Sequence, residues 1–210
     1  MVVNEPRDAS QDDSLILHPS SRALYRFWEA TRAEQAAPPR AAIDLKLIRE
    51  LIPFLAIIEP DTRNNGFRWR LAGTMVCNLY RRELTGGSAL GSLDSFEADV
   101  VGRFFTGVVR DLQPCVLRLR LHTDLDQVIG AELIGLPMLA SDGRSVHLFG
   151  GIFPFRDIAP LHHRAIASIE LSGARSIWTE HLPGDALVRQ LDHGERPPFR
   201  PLRVIAGGRN

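Results

Sequence analysis

The sequence predicts an α+β fold: a five-stranded antiparallel sheet in the order 2-1-5-4-3 with helices on one face, plus an N-terminal amphipathic helix and a C-terminal extension. Three observations carry this. Apolar residues switch along the chain between helical spacing and short extended runs, giving strand, strand, helices and then three strands. Turn-forming residues lie inside each strand group, from Asp61 to Gly66 and at Ser141-Asp142-Gly143-Arg144, so successive strands should be hairpin neighbours. Arginines mark two of the strands, at Arg68 and Arg70 and at Arg118 and Arg120, and charged side chains commonly protect sheet edges.

Element by element, residues 1–18 read as a disordered polar leader and 19–53 as a helical region. Pro19, Ser20 and Ser21 supply a helix start, and Leu24, Phe27, Trp28 and Thr31 follow at helical spacing before Pro38 and Pro39. A short second helix is expected from Asp44, its N-cap, to the stop at Pro53. The core spans 54–156. Its first strand begins at Phe54, and its second, Phe67 to Leu71, alternates so that Phe67, Trp69 and Leu71 share one face. Helical fragments follow up to the loop Thr85-Gly86-Gly87-Ser88. The strongest helix runs from about Phe96 to Leu112, its apolar stripe carried by Phe96, Val101, Phe105, Val108 and their neighbours. Three strands then begin near Val116, Val128 and Val146. Residues 157–210 form the extension, with a helix or short strand packed back near Ile166 to Trp178 and an extended end through Arg196-Pro-Pro-Phe-Arg200-Pro201.

Composition narrows the function. Lys plus Arg and Asp plus Glu number 25 each, so no overall field recruits nucleic acid or an anionic membrane surface. No run reaches the length of about 18 apolar residues that spans a bilayer. Met1 to Asp13 lacks the basic start and apolar stretch of a signal peptide, and two cysteines, Cys77 and Cys115, build neither a disulfide framework nor a four-cysteine metal site. A cytoplasmic location is expected.

Local segments carry a resemblance. Arg22 to Trp28, Ile43-Asp44 and Leu55 to Glu59 lead to the most specific stretch, Phe67-Arg68-Trp69-Arg70-Leu71-Ala72-Gly73-Thr74, followed by Arg82-Glu83-Leu84-Thr85-Gly86. Over residues 20 to 156 the chain resembles a family of single-domain bacterial PAS proteins of largely uncharacterised function. The resemblance implies signal transduction or regulation and names no ligand. Arg81 departs from the pattern, standing where the family is expected to have glycine, a residue suited to positive φ.

The candidate sites are modest. A PAS-type pocket between sheet and helices would be lined by Trp69, Leu71, Met75, Phe105, Leu119 and Leu121, all of which an ordinary close-packed core also uses. Leu24, Phe27 and Trp28 are the candidate dimer or partner interface, or the cover of the outer sheet face. His122, Asp124 and Asp126 alternate as metal ligands would, yet sit where a hairpin turns. His162-His163 lack zinc-site spacing, and His147 reads as structural rather than as a haem ligand. Val76-Cys77-Asn78-Leu79 lacks the neighbours of a flavin-linked cysteine, and Cys115 fills apolar space. The loop Thr85 to Ser88 lacks a P-loop lysine, and Gly150-Gly151 mark close approach of another backbone or helix. Arg81 and Arg82 read as charged surface. No catalytic residue and no metal site is assigned, and the cofactor stays unknown. Glu132 is the one titratable residue considered for an enzyme's pocket.

The expected function is a regulatory or signal-transduction module, homodimeric, acting through contact with another signalling protein and with a small-molecule ligand as an option, without nucleic-acid or membrane partners. A small α+β enzyme or carrier for a hydrophobic ligand, and a ligand-free structural adaptor, are the alternatives.

Overall fold

The computed structural model describes residues 15–125, 127–156 and 165–177. Helix α1 (Pro19–Arg32) comes first. Three 3-10 turns follow, Arg40–Ala42, Leu45–Ile48 and Ile52–Phe54, the second capped by Asp44, whose side chain accepts from Lys46 N. The second helix expected from Asp44 to Pro53 is therefore two of these turns, with no α-helix between those residues. Then come β1 (Leu55–Asp61), β2 (Gly66–Ala72), α2 (Thr74–Tyr80), α3 (Ser95–Arg110), β3 (Cys115–Thr123), β4 (Val128–Leu139), β5 (Val146–Pro154) and β6 (Ile166–Ser176).

The six strands form one antiparallel sheet in the order β2-β1-β5-β4-β3-β6, so the expected order holds and a sixth strand is added outside β3. The arginines of β3 consequently do not mark an edge. Along β3 the buried Leu117, Leu119 and Leu121 alternate with Arg118 and Arg120, which lie on the opposite face and reach solvent. Charge here reports which face of a strand is wet, while β6 pairs along the strand from Thr123 to Cys115.

One loop ties down both edges of this curled sheet. Gly86 N donates to Trp69 O at 2.7 Å, Trp69 N to Gly87 O at 3.0 Å and Ala89 N to Phe67 O at 2.8 Å, so residues 86–89 satisfy the outer edge of β2. Three residues on, Ser92 O accepts from Ile169 N of β6 at 3.1 Å, and the Glu97 carboxylate at the start of α3 accepts from Leu171 N at 2.8 Å. The Thr85 to Ser88 segment is thus an edge cover.

Inside this cup α2 and α3 pack on one face of the sheet. Helix α3 is capped by Asp94, which accepts from Glu97 N at 2.8 Å, and buries Val101, Phe105 and Val108. Phe96, read as part of the buried stripe, stands 76% exposed because the first turn of α3 projects past the core. Helix α2 ends at Arg81, whose φ of 53° and ψ of 29° are left-handed, the C-cap geometry that glycine adopts without cost. The departure from the family's expected glycine therefore falls on a position that does require positive φ.

Helix α1 packs on the other face. Ile16, Leu24, Tyr25 and Trp28 join Ile134, Leu136, Met138, Phe149 and Phe153 in a second apolar layer, distinct from the inner one. The sheet is thereby buried on both sides, which explains why β4 and β5 read as nearly continuous apolar runs.

Candidate functional site

The inner face bounds a small, partly open cavity of about 20 Å³ lined by Trp69, Tyr80, Phe105, Leu117, Leu133 and Ile152 among others. That volume holds about one water molecule, and the lining is apolar apart from Trp69 and Tyr80. Their rings meet edge-on with centroids 6.3 Å apart. Burial holds the Tyr80 hydroxyl far above the usual phenol range, with Arg82 a smaller opposing influence, so it stays a neutral donor.

Of the six expected pocket residues, Trp69, Phe105 and Leu119 line this cavity. Leu121 is buried in the same layer, and Met75 packs partly buried against it. Leu71 does not belong there: it is 42% exposed. The register shifts between Ile57 and Ile58, so that Ile57 faces Leu71 and Ile58 faces Trp69, with Arg70 unpaired between them. This β-bulge turns Leu71 to the outer side. Sequence alternation missed Tyr80, Leu133 and Ile152 as lining residues, although the apolar runs of β4 and β5 signalled burial on both faces.

The outer face carries the interactions that seat α1. Glu132 on β4 has no exposed surface, yet its side chain reaches the chain just before α1. Its Oε2 accepts from Leu17 N and its Oε1 from His18 N, both at 2.9 Å. His18 then caps α1: its Nδ1 accepts from Ser20 N at 3.1 Å while Nε2 donates to Pro154 O at 3.1 Å, fixing the neutral tautomer with hydrogen on Nε2. The imidazole also stacks on Phe153 at 5.5 Å. Further along, Trp28 Nε1 donates to Pro137 O at 2.8 Å. Glu132, considered as a pocket group, therefore acts as an anchor for the N-terminal segment.

Leu24 and Trp28 lie completely buried under this arrangement, and Phe27 is half-buried beside them. They cover the outer sheet face of their own chain, which is why two of these three aromatic and aliphatic side chains are closed to a partner while α1 is seated.

A charged row crosses the same face toward β2. The Glu59 carboxylate, almost buried, receives Arg68 Nη2 at 2.6 Å and, at 3.5 Å each, Arg70 Nη1 and His147 Nε2. His147 Nδ1 has no hydrogen-bond partner among the described residues. His147 lies on the face away from the cavity, so it is not placed to ligate anything held inside the cup. Desolvation lowers its pKa, opposed by Glu59 and reinforced by Arg70. In the unfolded chain a histidine takes up a proton near pH ~6.5, whereas in the fold His147 does so only at lower pH. It thus contributes stability that is fully present above about pH 6.5 and is lost as pH falls through the folded pKa. In urea titrations, His147→Gln is expected to flatten the acid-side fall in stability. An unchanged slope would contradict this role.

The remaining candidates resolve into structure. His122 Nε2 pairs with Glu170 at 3.1 Å, Asp124 lies in the turn, and Asp126 is outside the described residues. His162 and His163 are also outside them. Cys77 is half-buried near Ala72 O and Glu83. Cys115 is buried, which pushes its thiol pKa up to about 12 and keeps it an inert core side chain. A methyl group on Gly150 would sit 2.0 Å from Ile134 O, so this glycine serves close strand approach, as its position implied. Among the described residues no group of three or more His, Cys, Asp or Glu could hold a metal ion. None of their helices is long and apolar enough to cross a membrane.

A curled antiparallel sheet with helices gathered in its cup defines an α+β module whose helices lie on one face of the sheet and whose N-terminal helix covers the other. The family comparison agrees: a family described as PAS domain matches residues 16–153, and the chain belongs to that family. Membership makes it a module of a general sensory and regulatory class, one that is typically not enzymatic. Comparisons with curated proteins and with solved structures find no match.

Proposed function

We propose that this chain is a regulatory module in which the state of the inner core is read on the outer sheet face by α1 and passed on by protein contact. One observation carries the reading: the strands that wall the cavity are the strands that seat α1. On β4, Leu133 lines the cavity while its neighbours Glu132 and Ile134 hold the N-terminal segment and the outer layer. On β5 the same relation joins Ile152 to Phe153, and on β3 it joins Leu117 to Val116. Side chains alternate across a sheet, so a shift of backbone that accommodates a change on one face must move the other. Close packing makes that transmission stiff.

A small apolar ligand entering between the sheet and α2 or α3 is the natural input, since the cavity's lining is almost wholly apolar. The output is contact with a signalling protein or a second copy of the chain, in the cytoplasm. Native mass spectrometry of the full chain purified from its own host tests the output. The expected result is a non-covalent complex with another protein chain or a second copy. A lone monomer in every preparation would count against it.

A further inference from the structure

Helix α1 leaves the outer face through a turn built from the wrong residue. Gln35 N donates to Arg32 O at 2.9 Å, closing a four-residue turn over 32–35. Its second residue, Ala33, has φ 50° and ψ −120°. That is the geometry of the first central residue of a type II′ turn, a place dominated by glycine because a Cβ is strained there. The turn is held shut from one side by Arg32, which is 2% exposed, pairs with Glu29, stacks over the Trp28 ring at 5.1 Å and donates from Nη1 to Gln35 O at 2.9 Å. From the other side Pro38 O accepts from Leu139 N at 3.0 Å, pinning the chain to the end of β4 immediately before the second of two consecutive prolines.

A strained, short hinge thus separates two well-made parts: a helix with a large buried apolar face, and a sheet whose outer face fits that helix. We propose that α1 is exchanged between two copies of this chain, with residues 33–37 as the hinge. In the exchanged pair the turn opens, Ala33 returns to ordinary extended backbone, and each α1 remakes the same contacts on its partner's sheet. The Glu132 bonds to the 17–18 backbone, the Trp28 to Pro137 bond and the burial of Leu24 are all conserved in the exchange. Only the hinge differs between the closed and exchanged forms, so relief of its strain offsets the entropy lost on association. Fully extended, five hinge residues reach about 17 Å. That gives the helix room to leave its own sheet without unfolding.

The test uses the full chain, refolded at several concentrations and examined by sedimentation equilibrium, beside Ala33→Gly and a variant lacking Ala33, Glu34 and Gln35. The wild type is expected to populate monomer and dimer in a concentration-dependent ratio. Ala33→Gly makes the closed turn comfortable and should weaken dimerisation at least about tenfold. The shortened hinge cannot close and should remain dimeric on dilution. A glycine variant that dimerises as tightly as the wild type, or a wild type that is monomeric at every concentration, overturns the proposal. Both outcomes read only α1 exchange, so they stand apart from whether another signalling protein is bound.

Discussion

Gly150→Ala is expected to destabilise the fold by about 4 kcal/mol or more, a large part of the 5–15 kcal/mol typical of a domain. The glycine sits in β5, paired with Ala56 of β1 on one side and Gly135 of β4 on the other. A Cβ there would lie 2.0 Å from the carbonyl oxygen of Ile134, and this neighbour is backbone in the adjacent strand rather than the movable end of a side chain. Relief requires β4 and β5 to part at the centre of the sheet. That breaks ladder hydrogen bonds between strands buried on both faces, where no water replaces them. Urea unfolding of the purified variant, or its failure to remain soluble, is the measurement. A loss under about 1 kcal/mol would mean that the strands are less tightly apposed than described.

The second large effect is expected at Glu132, where alanine should cost about 3 kcal/mol. The substitution leaves the amides of Leu17 and His18 without their acceptor and opens a void beneath Phe153 and His18. Each hydrogen bond to a charged group is worth roughly 1.5–3 kcal/mol, and because both amides are only part-buried, water recovers some of the loss. The loss should be concentrated at one end of α1. Hydrogen exchange in the Glu132→Ala protein is therefore expected to rise first in the opening turn of α1, with the amides of β1 and β2, farther along the sheet, changing least. Uniform acceleration over the whole sheet would show instead that Glu132 serves the core at large.

Much of the fold was legible because local signals and the tertiary arrangement agree. Turn residues at 61–66 and 141–144 placed both hairpins, the i, i+4 stripe placed α3, and two groups of strands around helices gave the order of the first five strands. The arginines of β2 do lie at a sheet edge, whereas those of β3 do not. Arg118 and Arg120 mark the wet face of β3, whose edge is taken up by β6. The segment near Ile166 to Trp178 reads from sequence only as a helix or short strand packed back, because only Ile166 and Ile169 of β6 are buried and its pairing with β3 lies about fifty residues away in sequence. The bulge at Arg70 left no mark on a strictly alternating Phe67-Arg68-Trp69-Arg70-Leu71, so Leu71 was placed on the wrong face.

The site was less legible than the fold. A sequence shows that residues are apolar, and it does not show where packing stops short, so the cavity's outline came from the structure. Glu132 stood out in an apolar strand, but its partners are backbone amides 114 and 115 residues away, and backbone groups leave no signature in a side-chain pattern. The helical spacing of Leu24, Phe27 and Trp28 marks the face of α1 that needs cover. Whether that cover was its own sheet or another chain could not be decided from spacing alone.

If the state of the core reaches α1 through the strands they share, enlarging the cavity must loosen α1 and refilling it must tighten α1 again. Leu133→Ala enlarges the cavity, and benzene can refill such an apolar space. Amide hydrogen exchange along α1 is then followed by NMR with and without benzene, under conditions where amides exchange by local opening. Helix α1 is expected to exchange faster in the variant and to slow again when benzene fills the core, together with the Trp28 indole N–H that donates to Pro137 O. A response confined to α2 and α3, with α1 and the Trp28 indole indifferent to benzene, would contradict it.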